Sequence, residues 1–136
     1  MNVRYAKRSE DTEQINVISW ANISINRYPE LKWLFHIPNG GSRNKLEAVK
    51  LKQMGVKAGV SDLYLPFARG QYIGLFIEMK FEDNKTTVAQ KEFLKDMASN
   101  GHYVATCYSC IQTIKVIEEY LNGAEMTRSN NAMWKD

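Results

Sequence analysis

The sequence predicts an α/β domain in which helices flank a mixed sheet of about four strands. Some segments repeat apolar residues at steps of three and four, as along one face of a helix. Short runs rich in β-branched and aromatic residues, typical of strands, alternate with them. Clusters of glycine, proline and asparagine separate the segments. Helices and strands mixed in this order give a layered domain.

The composition is that of one globular domain of 136 residues. Apolar residues make up 44% and charged residues 24%, which excludes collagen-like and disordered chains. No apolar run approaches the roughly 18 residues of a membrane helix, and the basic N-terminus lacks the apolar core of a secretory signal. Two cysteines are too few for a secreted disulfide scaffold. We therefore expect an intracellular protein that is not secreted and binds no membrane.

The first helix is predicted over residues 9–28. Ser9 can cap its start, acids follow in its first turn, and Pro29 ends it. The residues of its apolar stripe are Ile15, Ile18, Ala21, Ile25 and Tyr28. A strand is predicted over 33–37. After a turn, Ser42 can cap a second helix that runs through about Met54, with Leu46 and Val49 facing the core.

The second half of the chain continues the alternation of strands and helices. Two strand-like runs are separated only by a short turn, which predicts a hairpin. Thr87 and Gln90 have the spacing of a capping box, and Ser109 and Gln112 repeat it. The predicted elements are strands at 62–67 and 72–80, a helix at 87–100, a strand at 103–108 and a helix at 109–121. Residues 1–123 are thus expected to form a single domain, with a flexible tail at 124–136.

An acid and a base share one face at the end of the second hairpin strand. Glu78 and Lys80 are two residues apart, directly after an apolar run at 73–77. For this pair alone, a plain salt bridge is the commoner explanation. Asp62 opens the neighbouring strand, so strand pairing would bring its carboxylate beside Glu78. Two close carboxylates repel each other, and Mg²⁺ binds to one or two carboxylates while it keeps several waters.

The ordered set of motifs resembles the VRR-NUC family of restriction-endonuclease-like nucleases, within the PD-(D/E)xK superfamily. The motifs are Ile37-Pro38-Asn39-Gly40-Gly41, Gly55-Val56-Lys57-x-Gly59-Val60-Ser61-Asp62-Leu63, Ile77-Glu78-Met79-Lys80, Gln90 and Gly101-His102-Tyr103-Val104. The resemblance covers about residues 9–122. Many members have proline where this chain has Ser61, a difference that changes loop stiffness rather than chemistry.

The resemblance implies a DNA endonuclease that depends on Mg²⁺ or Mn²⁺ and has a restriction-endonuclease-like core. The implied metal ligands are Asp62, Glu78, the main-chain carbonyl of Met79, and Glu13 of the first helix. Lys80 would orient the attacking water, and Gln90 would support the site. Glu10 and Asp11 are alternatives to Glu13, because they lie in the same acidic turn.

Small stand-alone members of the family are typically phage-encoded. They suggest a homodimer that cuts branched DNA such as a Holliday junction, in the cytoplasm of a bacterial or phage-infected cell. The fifteen aromatic residues could supply both a core and a dimer interface. The net charge of +3 permits DNA binding without requiring it.

Two basic loops are candidates for DNA contact, around Arg43 and Lys57. Asn39 and Arg43 flank a glycine turn at a helix start, where amides and a cation could bind a phosphate. A tight turn alone explains this pattern equally well. Lysines at positions 45, 50, 52 and 57 form either a basic face toward DNA or a solvated helix surface.

Three other interpretations of the sequence compete with the nuclease. A non-catalytic DNA-binding module could keep the fold, although the intact set of Asp62, Glu78 and Lys80 argues against a decayed site. Cys107 and Cys110 have thioredoxin-like spacing, and with His36 and His102 they could make a zinc site. We expect instead two ordinary buried thiols, and His36 as a core residue.

Overall fold

The structure, a computed structural model, describes residues 8–38 and 44–123. Its elements in chain order are α1 (Glu10–Ile23), a 3₁₀ helix (Pro29–Trp33), β1 (Phe35–His36), α2 (Lys45–Gln53), β2 (Leu63–Leu65), β3 (Leu75–Met79), α3 (Val88–Ser99), β4 (Tyr103–Cys107) and α4 (Cys110–Leu121). This order confirms the predicted α/β fold. None of the helices in these ranges is long and apolar enough to span a bilayer. The predicted tail at 124–136 lies outside the described residues.

The four strands form one mixed sheet in the order β1-β2-β3-β4. β2 and β3 pair antiparallel as the predicted hairpin, whereas β3 and β4 pair parallel. Every residue of β3 and β4 is buried, which explains the nearly continuous apolar run that precedes Glu78. The end of β3 therefore lies in the middle of the sheet, with a paired strand on each side.

Alternation along β3 divides its side chains between two cores. Leu75, Ile77 and Met79 belong to the larger core, which also contains side chains of α1 and α4. Phe76 belongs to a smaller core with Leu94 of α3. Because successive side chains of a strand point to opposite faces, Glu78 shares the α3 face of the sheet with Phe76.

The prediction for the first helix is wrong at its end and partly wrong in its buried face. α1 ends at Ile23, where the Ser24 amide donates to the Ala21 carbonyl, and Pro29 begins a separate 3₁₀ helix. The buried residues of α1 are Glu13, Val17 and Ala21, whereas Ile15 is exposed. The apolar stripe predicted the buried face of α1 only in part, because a buried glutamate, Glu13, occupies a position that an apolar residue would normally take.

The prediction that Leu46 and Val49 face the core is also wrong. α2 has no buried residue, and these two side chains are 82% and 54% exposed. Its N-cap is Asn44, whose side chain accepts from the amides of the first turn, while Ser42 lies outside the described residues. A stripe shows which residues share a face, but it does not show that another element covers that face. His36, expected in the core, is exposed on the two-residue strand β1.

Gly59 allows the loop before β2 to pack closely against the start of α3. Its φ of +91° lies in the left-handed region, and a Cβ atom there would come within 2.5 Å of the Ala89 carbonyl oxygen. Only glycine permits both the backbone conformation and this close approach. The loop that leads to Asp62 is thereby held against the helix that carries Gln90.

We expect Gly59→Ala to lower the free energy of unfolding by about 3 kcal/mol, because backbone strain adds to a backbone clash. Gly70→Ala is the matched control, since Gly70 also has a positive φ of +56°, but a methyl group there would meet no atom within 4 Å. That control should cost about 1 kcal/mol. Chemical denaturation of both variants checks this difference, and equal losses would show that the contact with Ala89 has no consequence.

Candidate active site

Glu78 lies at the end of the central strand and is almost fully buried, with 2% of its surface exposed. Its Oε2 atom accepts a hydrogen bond of 3.3 Å from the Gln90 side-chain amide. Its Oε1 atom is buried and has no hydrogen-bond partner among the described residues. A buried carboxylate with one unpaired oxygen is unfavourable without a further partner.

Gln90 is oriented by the capping box that the sequence predicts. The Gln90 amide N–H donates to the Thr87 hydroxyl, and the Thr87 amide donates to the Gln90 side-chain oxygen. The oxygen end of the side chain is thus fixed at the start of α3, and its NH₂ group is left to reach Glu78. One residue both caps a helix and holds the buried carboxylate.

Asp62 lies opposite Glu78, as the predicted hairpin requires. The register pairs Leu63 with Ile77, so the next step along the antiparallel ladder faces Asp62 toward Glu78. The Asp62 Oδ2 atom accepts a hydrogen bond of 2.7 Å from the Met79 amide, which fixes the carboxylate across the end of the hairpin. The structure therefore brings together Asp62, Glu78 and the main chain of Met79.

The pKa of Glu78 is raised from 4.5 to about 9. Burial is the largest cause, and the charge and hydrogen bonding of Asp62 come next. Lys80, buried on the same face, acts in the opposite direction, because its positive charge favours the ionised carboxylate. The positive charge of one lysine does not offset burial and a second carboxylate.

A plain salt bridge does not account for Glu78 and Lys80. In the part of the chain that the structure describes, the ion pairs within 4.0 Å join Arg8 to Glu13, Arg27 to Glu118 and Arg69 to Glu30. Lys80 instead lies beside a carboxylate whose pKa is influenced more strongly by another carboxylate than by the lysine. The cluster has an excess of negative charge.

The acids of α1 occupy different environments. The Glu13 Oε1 atom accepts hydrogen bonds of 3.0 Å from Arg8 and 3.1 Å from the Cys110 amide. Burial alone would raise the pKa of Glu13, but these partners together hold it below its ordinary value. Glu10 accepts a 2.8 Å hydrogen bond from Asn84, and its charge contributes to the raised pKa of Glu78. Of these two acids, Glu10 is the one whose charge acts on the carboxylate pair.

The arrangement fits a divalent cation with oxygen ligands. Two carboxylates lie within interaction range of each other, one buried oxygen has no donor among the described residues, and the Met79 main chain adjoins both. Mg²⁺ commonly binds through one or two carboxylates and retains waters at its other positions. Within residues 8–38 and 44–123, no three His, Cys, Asp or Glu side chains form a metal-binding group. The alternative zinc site is therefore not formed there.

The cysteines do not have the character of reactive thiols. Cys107 is buried, and burial raises its pKa to about 12. Both thiols are free, but Cys110 is only half-buried, so the expectation of two buried thiols is wrong for this residue. Burial and the charge of Glu13 nevertheless raise the pKa of Cys110. A redox-active thiol requires a lowered pKa, so the thioredoxin-like interpretation has no support in this geometry.

Of the residues predicted to contact DNA, the structure describes one. Lys57 is exposed in the loop between α2 and β2, and the lysines of α2 are exposed beside it. Asn39 and Arg43 lie outside the described residues. These exposed lysines thus precede, along the chain, the loop that carries Asp62.

Thr106 is a polar residue near the site that the sequence did not indicate. The parallel ladder places it directly beside Glu78, and its hydroxyl is buried without a hydrogen-bond partner among the described residues. A threonine in a strand has no distinguishing sequence signal. Its position depends on the register between two strands that are far apart in the chain.

Comparison with known proteins agrees with this fold. The sequence model of the VRR-NUC domain family matches residues 7–110. The solved structure of a "VRR_NUC domain protein" has 32% sequence identity and a TM-score of 0.71, and the match covers 88% of this chain and 93% of that chain. No curated protein matches the chain with significance.

Glu78→Gln should stabilise the cation-free protein at neutral and alkaline pH. The pKa of Glu78 lies at about 9 in the folded chain against 4.5 ordinarily, so its contribution to stability is present below pH 4.5 and is lost as the pH rises toward 9. The Glu78→Gln variant has no carboxyl group to ionise at this position, so it does not lose this contribution to stability. We expect its Tm to exceed that of the wild type by about 3 °C or more at pH 8, and by less at pH 5.

Thermal unfolding with a chelator present measures this difference. Glu92→Gln on the exposed face of α3 is the control, because it makes the same change of carboxyl to amide away from the site. A difference in Tm that does not grow with pH, or one that the control reproduces, would contradict the burial of Glu78 beside a second carboxylate.

Proposed function

The chain belongs to the VRR-NUC family, and we propose that it is a Mg²⁺- or Mn²⁺-dependent endonuclease that hydrolyses phosphodiester bonds in branched DNA. The family is nuclease-like, and its domain acts on DNA. The observation that carries the finer proposal is the buried Glu78 beside the half-buried Asp62, with Lys80 on the same strand face as Glu78. Paired carboxylates next to a lysine suit cation-assisted hydrolysis better than passive DNA binding.

In this proposal, Asp62, Glu78 and the Met79 carbonyl hold the cation. A bound divalent cation lowers the pKa of a coordinated water and provides positive charge for the phosphoryl oxygens. Asp62 keeps its orientation because the Met79 amide donates to it. Gln90 keeps Glu78 in place through Oε2 and is itself fixed by the capping box.

Lys80 orients the attacking water and favours its hydroxide form. Its ammonium also adds positive charge where negative charge develops in the transition state. Burial supports this role, because a charge exerts a stronger field where water is excluded. Glu13 remains a predicted ligand in this proposal, but within the described residues it forms no three-residue metal-binding group with Asp62 and Glu78. Its Oε1 atom accepts from Arg8 and the Cys110 amide.

We propose that Lys57, with Asn39 and Arg43, contacts the DNA backbone around the site. The exposure of Lys57 and of the lysines on α2 supports this role, since exposed cations can neutralise phosphates. A branched substrate, such as a Holliday junction, would be cut symmetrically by two sites related by a two-fold axis. Each chain has one candidate site, so we propose a homodimer that acts in the cytoplasm of a bacterial or phage-infected cell.

Glu78→Gln and Lys80→Ala should each reduce cleavage by about 100-fold or more, because each removes a group from the reacting centre. The purified proteins are assayed on single-stranded, duplex, flap and four-way-junction DNA with Mg²⁺, with Mn²⁺ and with a chelator. Glu92→Gln and Lys85→Ala, both at exposed positions, are the matched controls. Both controls should cut at the wild-type rate.

Each result of this assay separates the candidate functions. Junction cleavage that requires the cation supports the proposal. DNA binding by the wild type without cleavage of any substrate would favour the non-catalytic module. Normal turnover by Glu78→Gln would contradict the assignment of the site.

Light scattering at micromolar concentration should give the mass of a homodimer. The exposed apolar residues Leu46, Val49 and Met54, on α2 and at its C-terminal end, support this expectation, since no residue of α2 is buried by another described element. Leu46→Glu should shift the mass toward the monomer, whereas Gln53→Glu on the same helix should not. A monomeric wild type that cuts a junction at paired, symmetric positions would refute the dimer geometry.

A further inference from the structure

Two buried oxygen atoms without hydrogen-bond partners among the described residues belong to residues that are paired in register near the end of the central strands. One is Oε1 of Glu78 and the other is the hydroxyl of Thr106. Glu78 and Thr106 are direct partners in the parallel ladder between β3 and β4, and they are 2% and 1% exposed. Partners in register lie about 5 Å apart across a sheet and point to the same face.

The hydrogen-bonding capacities of these two groups are complementary. A carboxylate only accepts hydrogen bonds, whereas a hydroxyl donates one. The other oxygen of Glu78 has its donor in Gln90, and the facing Asp62 takes its own donor from the Met79 amide. A hydroxyl donor on β4 would hold the Oε1 atom of Glu78, because the Gln90 side chain of α3 already donates to its Oε2 atom.

We propose that Thr106 is a positioning residue of the cation site, and that its hydroxyl donates to Oε1 of Glu78 when Asp62 and Glu78 hold a divalent cation. This inference rests on the proposed function. Groups that hydrogen-bond to the ligands of a metal fix their orientation and contribute to affinity. Thr106 thereby keeps the Glu78 carboxylate from rotating as it binds the cation.

The proposal predicts opposite effects of one substitution with and without the cation. Thr106→Val preserves the shape of the side chain and removes the hydroxyl. In the cation-free protein it removes an unpaired buried polar group, so the Tm should stay the same or rise. In the cation-bound protein it removes the donor to Glu78, so we expect Mn²⁺ affinity to fall about 10-fold.

Calorimetric titration of the full chain with Mn²⁺ measures the affinity, and thermal unfolding with a chelator measures the Tm. Thr106→Ser is the conservative variant, because it keeps the hydroxyl, and its Mn²⁺ affinity should stay within about 2-fold of the wild type. Weaker binding by Thr106→Val, with normal binding by Thr106→Ser and an undiminished Tm, supports the positioning role.

The other outcomes overturn it in distinguishable ways. Equal Mn²⁺ affinity for the wild type and Thr106→Val would overturn the role of Thr106 and leave the proposed function intact. A lowered Tm of Thr106→Val without the cation would show that the hydroxyl already stabilises the free protein, and would also overturn the role. Failure of the wild type to bind Mn²⁺ would overturn the proposed function together with the inference.

Discussion

The burial of the Glu78 carboxylate beside Asp62 is the constraint around which the rest of the site is arranged. Burial raises the free energy of the ionised Glu78 carboxylate, and the negative charge of Asp62 raises it further. The hairpin register nevertheless forces them together, since Asp62 follows directly from the pairing of Leu63 with Ile77. A group whose ionised state is destabilised by its own fold gains the most from a cation, because binding removes the repulsion as well as adding an attraction.

The remainder of the fold holds this unfavourable pair in place. The larger core packs beneath it, through Leu63, Ile77 and Met79. On the other face of the sheet, α3 packs through the smaller core of Phe76 and Leu94 and through the close approach of Gly59 to Ala89. Apolar burial of this kind supplies most of the favourable free energy of a domain. The packing of residues outside the site therefore offsets the unfavourable free energy of placing these carboxylates together.

The features that the sequence predicted correctly depend on local pattern or on neighbouring strands. The capping box at Thr87 is local, and the juxtaposition of Asp62 with Glu78 follows from the antiparallel pairing of two strands that are consecutive in the chain. The fold class is predictable for the same reason, because alternating helices and strands leave few layered arrangements.

The features that the sequence did not predict depend on contacts between distant segments. The face that α1 buries and the exposure of Leu46 depend on which element packs where, which periodicity does not specify. Thr106 lies beside Glu78 only because β3 and β4, which α3 separates in the chain, pair in parallel. The surroundings of Glu13 likewise depend on the amide of Cys110, which lies 97 residues further along the chain.

The distribution of charge connects the proposed chemistry with DNA binding. A phosphate that approaches the site meets the negative charges of Asp62 and Glu10, and that of Glu78 when it is ionised, and buried Lys80 alone does not neutralise them. The exposed lysines of α2 and Lys57 lie in the segment that precedes Asp62, outside this acidic centre. On the proposed function, these lysines would attract the DNA backbone over several ångströms, whereas close approach of the scissile phosphate would require the cation. Affinity for DNA and competence for cleavage would then reside in different groups, so a change at the acidic centre can abolish cleavage while binding to the surrounding lysines persists.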